Sequence, residues 1–174
     1  MARHIVVVGL MGSGKTTVGR ALAAALGWRH RDSDAELGAS HGRTARELAD
    51  EIGVRRLHDL ELRQLLDAVA ASEPSVVSPA ASIIDEPDGR AALAEPGVFV
   101  VWLRIDPTAA ARRARPGDHR PKPEPLAAQA ARRDPLFAAA ADVAIDAGQP
   151  VEVIVATVLD RLPGSSVAGQ AAAD

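Results

Sequence analysis

Residues 9–16, Gly9-Leu10-Met11-Gly12-Ser13-Gly14-Lys15-Thr16, spell G-x-x-x-x-G-K-T and constrain the chain more than any other stretch. Before them runs Ile5-Val6-Val7-Val8, a β-branched segment suited to a strand buried on both faces. After them, Val18, Leu22 and Leu26 recur every four residues through an alanine-rich stretch and give a helix one apolar face. Strand, glycine loop and helix N-terminus in that order make an anion site. Glycine lets the backbone curl so that successive N–H groups and the helix dipole point at phosphate oxygens. Lys15 then reaches the β and γ phosphates of a nucleotide, and Thr16 offers its hydroxyl to Mg²⁺. A glycine turn capping an ordinary helix would need none of this agreement.

The remaining composition narrows the class. A length of 174 residues suits one domain, and aromatics at 2% make the core aliphatic with closely packed alanine-rich helices. Twenty basic and 23 acidic residues give a net charge of −3, which argues against a nucleic-acid partner. No apolar run approaches a membrane span, and Met1-Ala2-Arg3-His4 leads directly into a strand, so a cytoplasmic protein without membrane partners is expected. Without cysteine there is no disulfide, thiolate metal site or cysteine nucleophile.

Strand-like runs alternate with helical ones, the pattern of an α/β protein with a parallel sheet. Strands are expected at His4–Val8, near Trp28–Arg31, and at Ser75–Ser78, Val98–Ile105 and Val143–Ile145. A long helical region runs from Thr44 to Ala71 with a break around Gly53. Further helices begin at Pro107 and span Val151 to Leu162. Residues 115–125 are basic and rich in proline, poor material for helix or strand, and residues 163–174 form a small-residue tail expected to be disordered.

Outside the phosphate loop, several residues can carry chemistry. Asp32-Ser33-Asp34 follows the second strand; one carboxylate can face a metal's water shell and the other a substrate hydroxyl, or the pair can form a solvated turn that caps a helix. Ile83-Ile84-Asp85-Glu86 resembles the end of a metal-binding strand, but Pro87 and Gly89 make a turn before a helix the better reading. The segment 115–125 can close over a nucleotide and bring a guanidinium to the transferring phosphoryl group. Arg132 and Arg133 can grip an anionic substrate bidentately or simply complement a helix end.

Taken in order, these pieces resemble the shikimate kinases, over roughly residues 3 to 162 and most closely from Gly9 to Arg20. The resemblance implies a three-layer αβα P-loop fold, a five-stranded parallel sheet in order 2-3-1-4-5, a substrate-binding helical insert over about 34–62 and a lid over about 115–125. It implies ATP held by Gly12, Ser13, Gly14, Lys15, Thr16 and Thr17, with Arg120 over the phosphates and Gln149 in the adenine loop. Mg²⁺ falls to Thr16 and Asp32, and catalysis to Lys15, Asp34 and Arg120. Asp34 contacts the acceptor and accepts its hydroxyl proton, while Arg133, within Arg133-Asp134-Pro135-Leu136-Phe137, holds the acceptor's carboxylate.

Two departures concern the acceptor. His58 stands where the family has an arginine, offering one neutral donor in place of a charged fork; Arg55, one turn earlier, is the expected substitute. The family's three glycines after the third strand give way to Pro79-Ala80-Ala81-Ser82, so Ala80 and Ala81 crowd the acceptor. The expectation is therefore a monomeric kinase for shikimate or a related hydroxy acid, against two alternatives. One is a kinase for another sugar acid or polyol, and the other a nucleotide-binding regulator without efficient transfer.

Overall fold

A computed structural model describes residues 2–113 and 124–163. Five parallel strands pair in the order β2-β3-β1-β4-β5, as the resemblance implied. The central strand β1 (His4–Val8) is buried throughout, which is why its β-branched run shows no alternation. It lies between β3 (Ser75–Ser78) and β4 (Val98–Arg104), with Ile5 opposite Val76 on one side and Phe99 on the other. The edges are β2 (Arg29–Asp32) and β5 (Val143–Asp146). Each edge strand ends one residue later than the pattern of apolar side chains suggests, because polar Asp32 and Asp146 continue the ladder.

Helices cover both faces. On one, α1 (Lys15–Leu26) and α8 (Val151–Arg161) bury Val18, Leu22, Ile154 and Val158 against the sheet. On the other lie α4 (Val54–Ala70), α5 (Pro87–Leu93) and α7 (Leu126–Ala140), whose Leu65, Leu93 and Phe137 meet Val6, Val100 and Trp102. Phe137 stacks on Trp102 at a centroid distance of 6.2 Å. Between α5 and α7 in the chain lies α6 (Pro107–Arg113).

A smaller core of Leu37, Leu48 and Leu57 joins α2 (Ser33–His41), α3 (Ala45–Ile52) and α4 into the insert. The break between α3 and α4 falls at Gly53, whose φ of 89° lies outside the helical region and is open to glycine at no steric cost. Helix α3 opens with a capping box: Thr44 Oγ1 accepts from the Glu47 backbone N–H, and Glu47 accepts from that of Thr44. Residues 115–123 of the expected lid, Arg120 included, lie outside the described residues, as does the tail beyond Pro163.

Candidate active site

The carboxyl ends of the first three strands deliver the site's loops to one edge of the sheet, where ligands bind in open α/β folds. Past β1 the chain turns through Gly12 (φ 81°) and Gly14 (φ 95°), and Gly14 serves as the N-cap of α1. The turn is closed by Ser13 N–H donating to Leu10 O at 3.2 Å, and Lys15 Nζ reaches back to Gly9 O and Leu10 O at 3.0 and 3.1 Å. Ser13 Oγ is buried and has no hydrogen-bond partner among the described residues. A buried hydroxyl left unsatisfied is costly unless a ligand oxygen completes it, and with the N-terminus of α1 starting at Gly14 the loop fits a polyphosphate.

Thr16 Oγ donates to Asp32 Oδ2 at 2.7 Å, bringing together the two residues assigned to Mg²⁺. The other oxygen of Asp32 caps α2 by accepting from the N–H groups of Asp34 and Ala35. No cluster of three or more metal-ligating side chains occurs among the described residues, so this hydroxyl–carboxylate pair suits an ion whose remaining ligands are water and phosphate.

Beneath the loop runs a polar relay that spacing gave no sign of. Ser78 Oγ donates to Lys15 O at 3.0 Å and so must accept from His30 Nε2 at 2.9 Å, which fixes the proton on that nitrogen. Burial, with Arg20 adding to it and Asp32 opposing, lowers the pKa of His30 below its usual value and keeps the ring neutral. The relay ties β2 and β3 to the first turn of α1. Gly19 makes room for it: a Cβ there would lie 2.4 Å from Ser78 Oγ.

Beside the loop's Met11 opens a cavity of ≈ 150 Å³. Leu57, His58 and Glu61 of α4 form one wall, the 3₁₀ turn Ala81–Asp85 a second, and Gln129, Arg132 and Arg133 of α7 a third. Glu61 is buried and accepts from Ser82 Oγ at 2.6 Å. Arg133, also buried, donates through Nε (3.0 Å) and Nη2 (2.7 Å) to Asp85 Oδ2, and through Nη1 (2.7 Å) to Gln129 Oε1. Arg132 binds Asp85 Oδ1 and, at 2.7 Å, Glu124. Burial alone would raise the Asp85 carboxyl; the hydrogen bonds from Arg133 and Arg132 outweigh it and hold that group below the usual carboxylate range.

The remaining assigned residues are placed less simply. Arg55, the expected substitute for an arginine at position 58, does not line the cavity: it is 72% exposed and pairs with Glu86 at 2.8 Å and Asp59 at 3.4 Å. Its long side chain turns toward the acid at the start of α5, leaving His58 as that helix's polar donor to the cavity. Ala81 lines the cavity; Ala80 is buried behind it with φ −58° and ψ 146°, torsions open to any residue. Asp34 is exposed in the first turn of α2 and lines a shallower hollow with Gly38, Arg43 and Glu47. Thr17 is exposed on α1, and Gln149 lies in a turn after β5 where its N–H donates to Asp146 O. Arg113, not singled out by its spacing, donates to Ala147 O and ties the end of α6 to that turn.

The family model for shikimate kinase matches residues 11–163. The chain belongs to the shikimate kinase family. The shikimate kinase of Symbiobacterium thermophilum is 36% identical over 171 residues, covering 91% of this chain and 95% of its own. Among solved structures, the shikimate kinase from Acinetobacter baumannii in complex with shikimate superimposes with a TM-score of 0.84 at 28% identity, covering 92% of each chain. A gluconokinase from Sinorhizobium meliloti gives a TM-score of 0.59 at 26% identity over 91% of this chain and 90% of its own. Like the shikimate kinases, this chain is an ATP-dependent small-molecule kinase built on a P-loop.

Proposed function

We propose that the protein transfers the γ-phosphoryl group of ATP to a hydroxyl of shikimate, with the cavity beside Met11 holding the acceptor. The observation that carries this reading is the adjacency of two fitted sites. A phosphate loop with an unsatisfied buried hydroxyl stands next to a cavity into which α7 brings a buried guanidinium. The shikimate complex of the Acinetobacter relative supports the choice of acceptor.

The loop amides and Lys15 bind the donor's phosphates, and Lys15 with Arg120 offsets charge developing on the transferring group. Thr16 and Asp32 would hold Mg²⁺, which when bound would neutralise phosphate charge. Asp34, which lines a separate hollow, takes its role from the family resemblance: it orients the acceptor hydroxyl and takes its proton as the oxygen attacks phosphorus and the bond to ADP breaks. A donor made in the cytoplasm and a small-molecule acceptor suit a monomeric enzyme working there.

A coupled assay of ADP release tests the reading. Purified protein with ATP, Mg²⁺ and shikimate should release ADP far above the acceptor-free rate and yield a product heavier by one phosphoryl group. An unchanged rate over a wide range of shikimate concentration refutes it.

A further inference from the structure

We propose that Asp85 is a specificity-determining residue: as an internal counter-ion on the guanidinium of Arg133, it competes with the carboxylate of an acceptor for that seat. The proposal rests on the reading that this cavity receives the acceptor.

An incoming carboxylate needs a guanidinium with two N–H groups to spare. In Arg133 three of the five N–H groups are already engaged: Asp85 takes the Nε–Nη2 fork and Gln129 one N–H of Nη1. Arg132, the other guanidinium at the cavity, is shared between Asp85 and Glu124. Both guanidiniums that line the cavity among the described residues thus already carry carboxylate partners.

The placement of Asp85 is built rather than incidental. Arg90 Nη1 donates to Ile84 O at 2.8 Å and Asp85 O at 3.0 Å, pinning the end of the 3₁₀ turn. Helix α5 packs so closely on that turn that a Cβ on Gly89 would lie 2.1 Å from Ile83 O. A carboxylate acceptor that takes the Nε–Nη2 fork lifts Asp85 Oδ2 off Arg133 while Arg132 keeps its hold on Oδ1, and one that takes the remaining Nη N–H groups meets a guanidinium whose charge Asp85 already offsets. Much of the binding gained by the new ion pair is given up with the old one. An uncharged polyhydroxy acceptor makes no such exchange, so the wild-type protein should discriminate little between shikimate and its methyl ester.

Steady-state kinetics and titration of the ADP-loaded protein with both compounds test this, on wild type, Asp85→Asn and Asp85→Ser. Wild type should prefer shikimate over the ester by no more than about three-fold. Removing the charge should lower KM and Kd for shikimate about ten-fold, one charged hydrogen bond's worth, with the ester changing less than two-fold. ADP affinity on the same samples confirms that the variants fold.

A preference of a hundred-fold for shikimate in wild type overturns the proposal, and that measurement needs no variant. An unchanged or higher Kd for shikimate in folded variants also overturns it, as does equal improvement for both compounds, which would show only added space. Tighter, ester-discriminating binding without turnover supports the role of Asp85 while refuting the phosphorylation of shikimate. Efficient turnover with a KM indifferent to residue 85 does the reverse.

Discussion

Two glycines of the phosphate loop separate two costs that are usually mixed. Gly12 and Gly14 both hold left-handed φ angles, 81° and 95°, but a Cβ added to Gly14 meets nothing within 4 Å. One added to Gly12 would lie 2.5 Å from Ala110 O and 3.2 Å from its carbonyl carbon. Ala110 is fully buried on α6, whose start is fastened by Asp106 Oδ1 accepting from Thr108 and Ala109, so the carbonyl cannot step aside alone. Placing alanine at such a φ costs roughly 1–2 kcal/mol, of which about 0.4–1 kcal/mol is returned by a less free unfolded chain. Gly14→Ala should thus lose about 1 kcal/mol. Gly12→Ala adds an overpacking cost of roughly 1–3 kcal/mol and should lose about 2–4 kcal/mol in all. For a domain of this size that means a fall in Tm of about 2–4 °C against one two to four times larger. Urea unfolding with a common slope, checked by thermal melts, measures the difference. Equal losses for the two variants would show that α6 yields without cost, and would refute the argument from contact with Ala110.

Two further outcomes are open to the same equipment. Burial lowers the pKa of both His4 and His30, so the unfolded chain takes up protons near pH 6.5 before the folded one does; stability should be full above that pH and fall as pH drops through the lower folded values. Urea unfolding between pH 8 and 5 should show this slope, and stability that rises on acidification would contradict it. Thr44→Ala removes the acceptor of the α3 capping box and should cost about 1 kcal/mol, with Thr44→Ser largely restoring it. A loss below 0.3 kcal/mol, roughly the floor of helix-terminal effects, would mean that the box adds nothing to packing of the insert.

What was legible in the sequence was local. The strand, loop and first helix are written into consecutive residues, and the break at Gly53 into one residue whose backbone needs a positive φ. Helix α2 buries only Ser33 and Leu37, too little for an apolar period, so its start is legible in the cap from Asp32 while its extent is not. Helix α7 hid differently. Its buried positions are Gln129, Ala130, Arg133 and Phe137, and Pro135 lies within it. Polar residues take the inward stripe because they line the cavity, so the demands of the site erased the pattern that reveals a helix. Asp85 was read as a turn residue, and it is one. Its partner Arg133 lies 48 residues further on, a distance at which spacing carries no information.

That pair changes how the departures at the acceptor site fit together. Read along the chain, the missing arginine at position 58 and the missing glycines after β3 look like two separate losses. In space they adjoin Asp85. With Ala80 at ordinary torsions, the segment after β3 has no need of glycine and winds into the 3₁₀ turn that ends at Asp85. That residue meets the guanidinium of α7, while the facing helix offers an imidazole in place of a second guanidinium and sends Arg55 to Glu86. A cavity emptied by drift would leave Arg133 buried and unpaired, at a cost of several kcal/mol. Here the guanidinium is balanced from within the chain, so the cavity keeps its arginine without an external anion, which is the physical basis of the specificity proposed for Asp85.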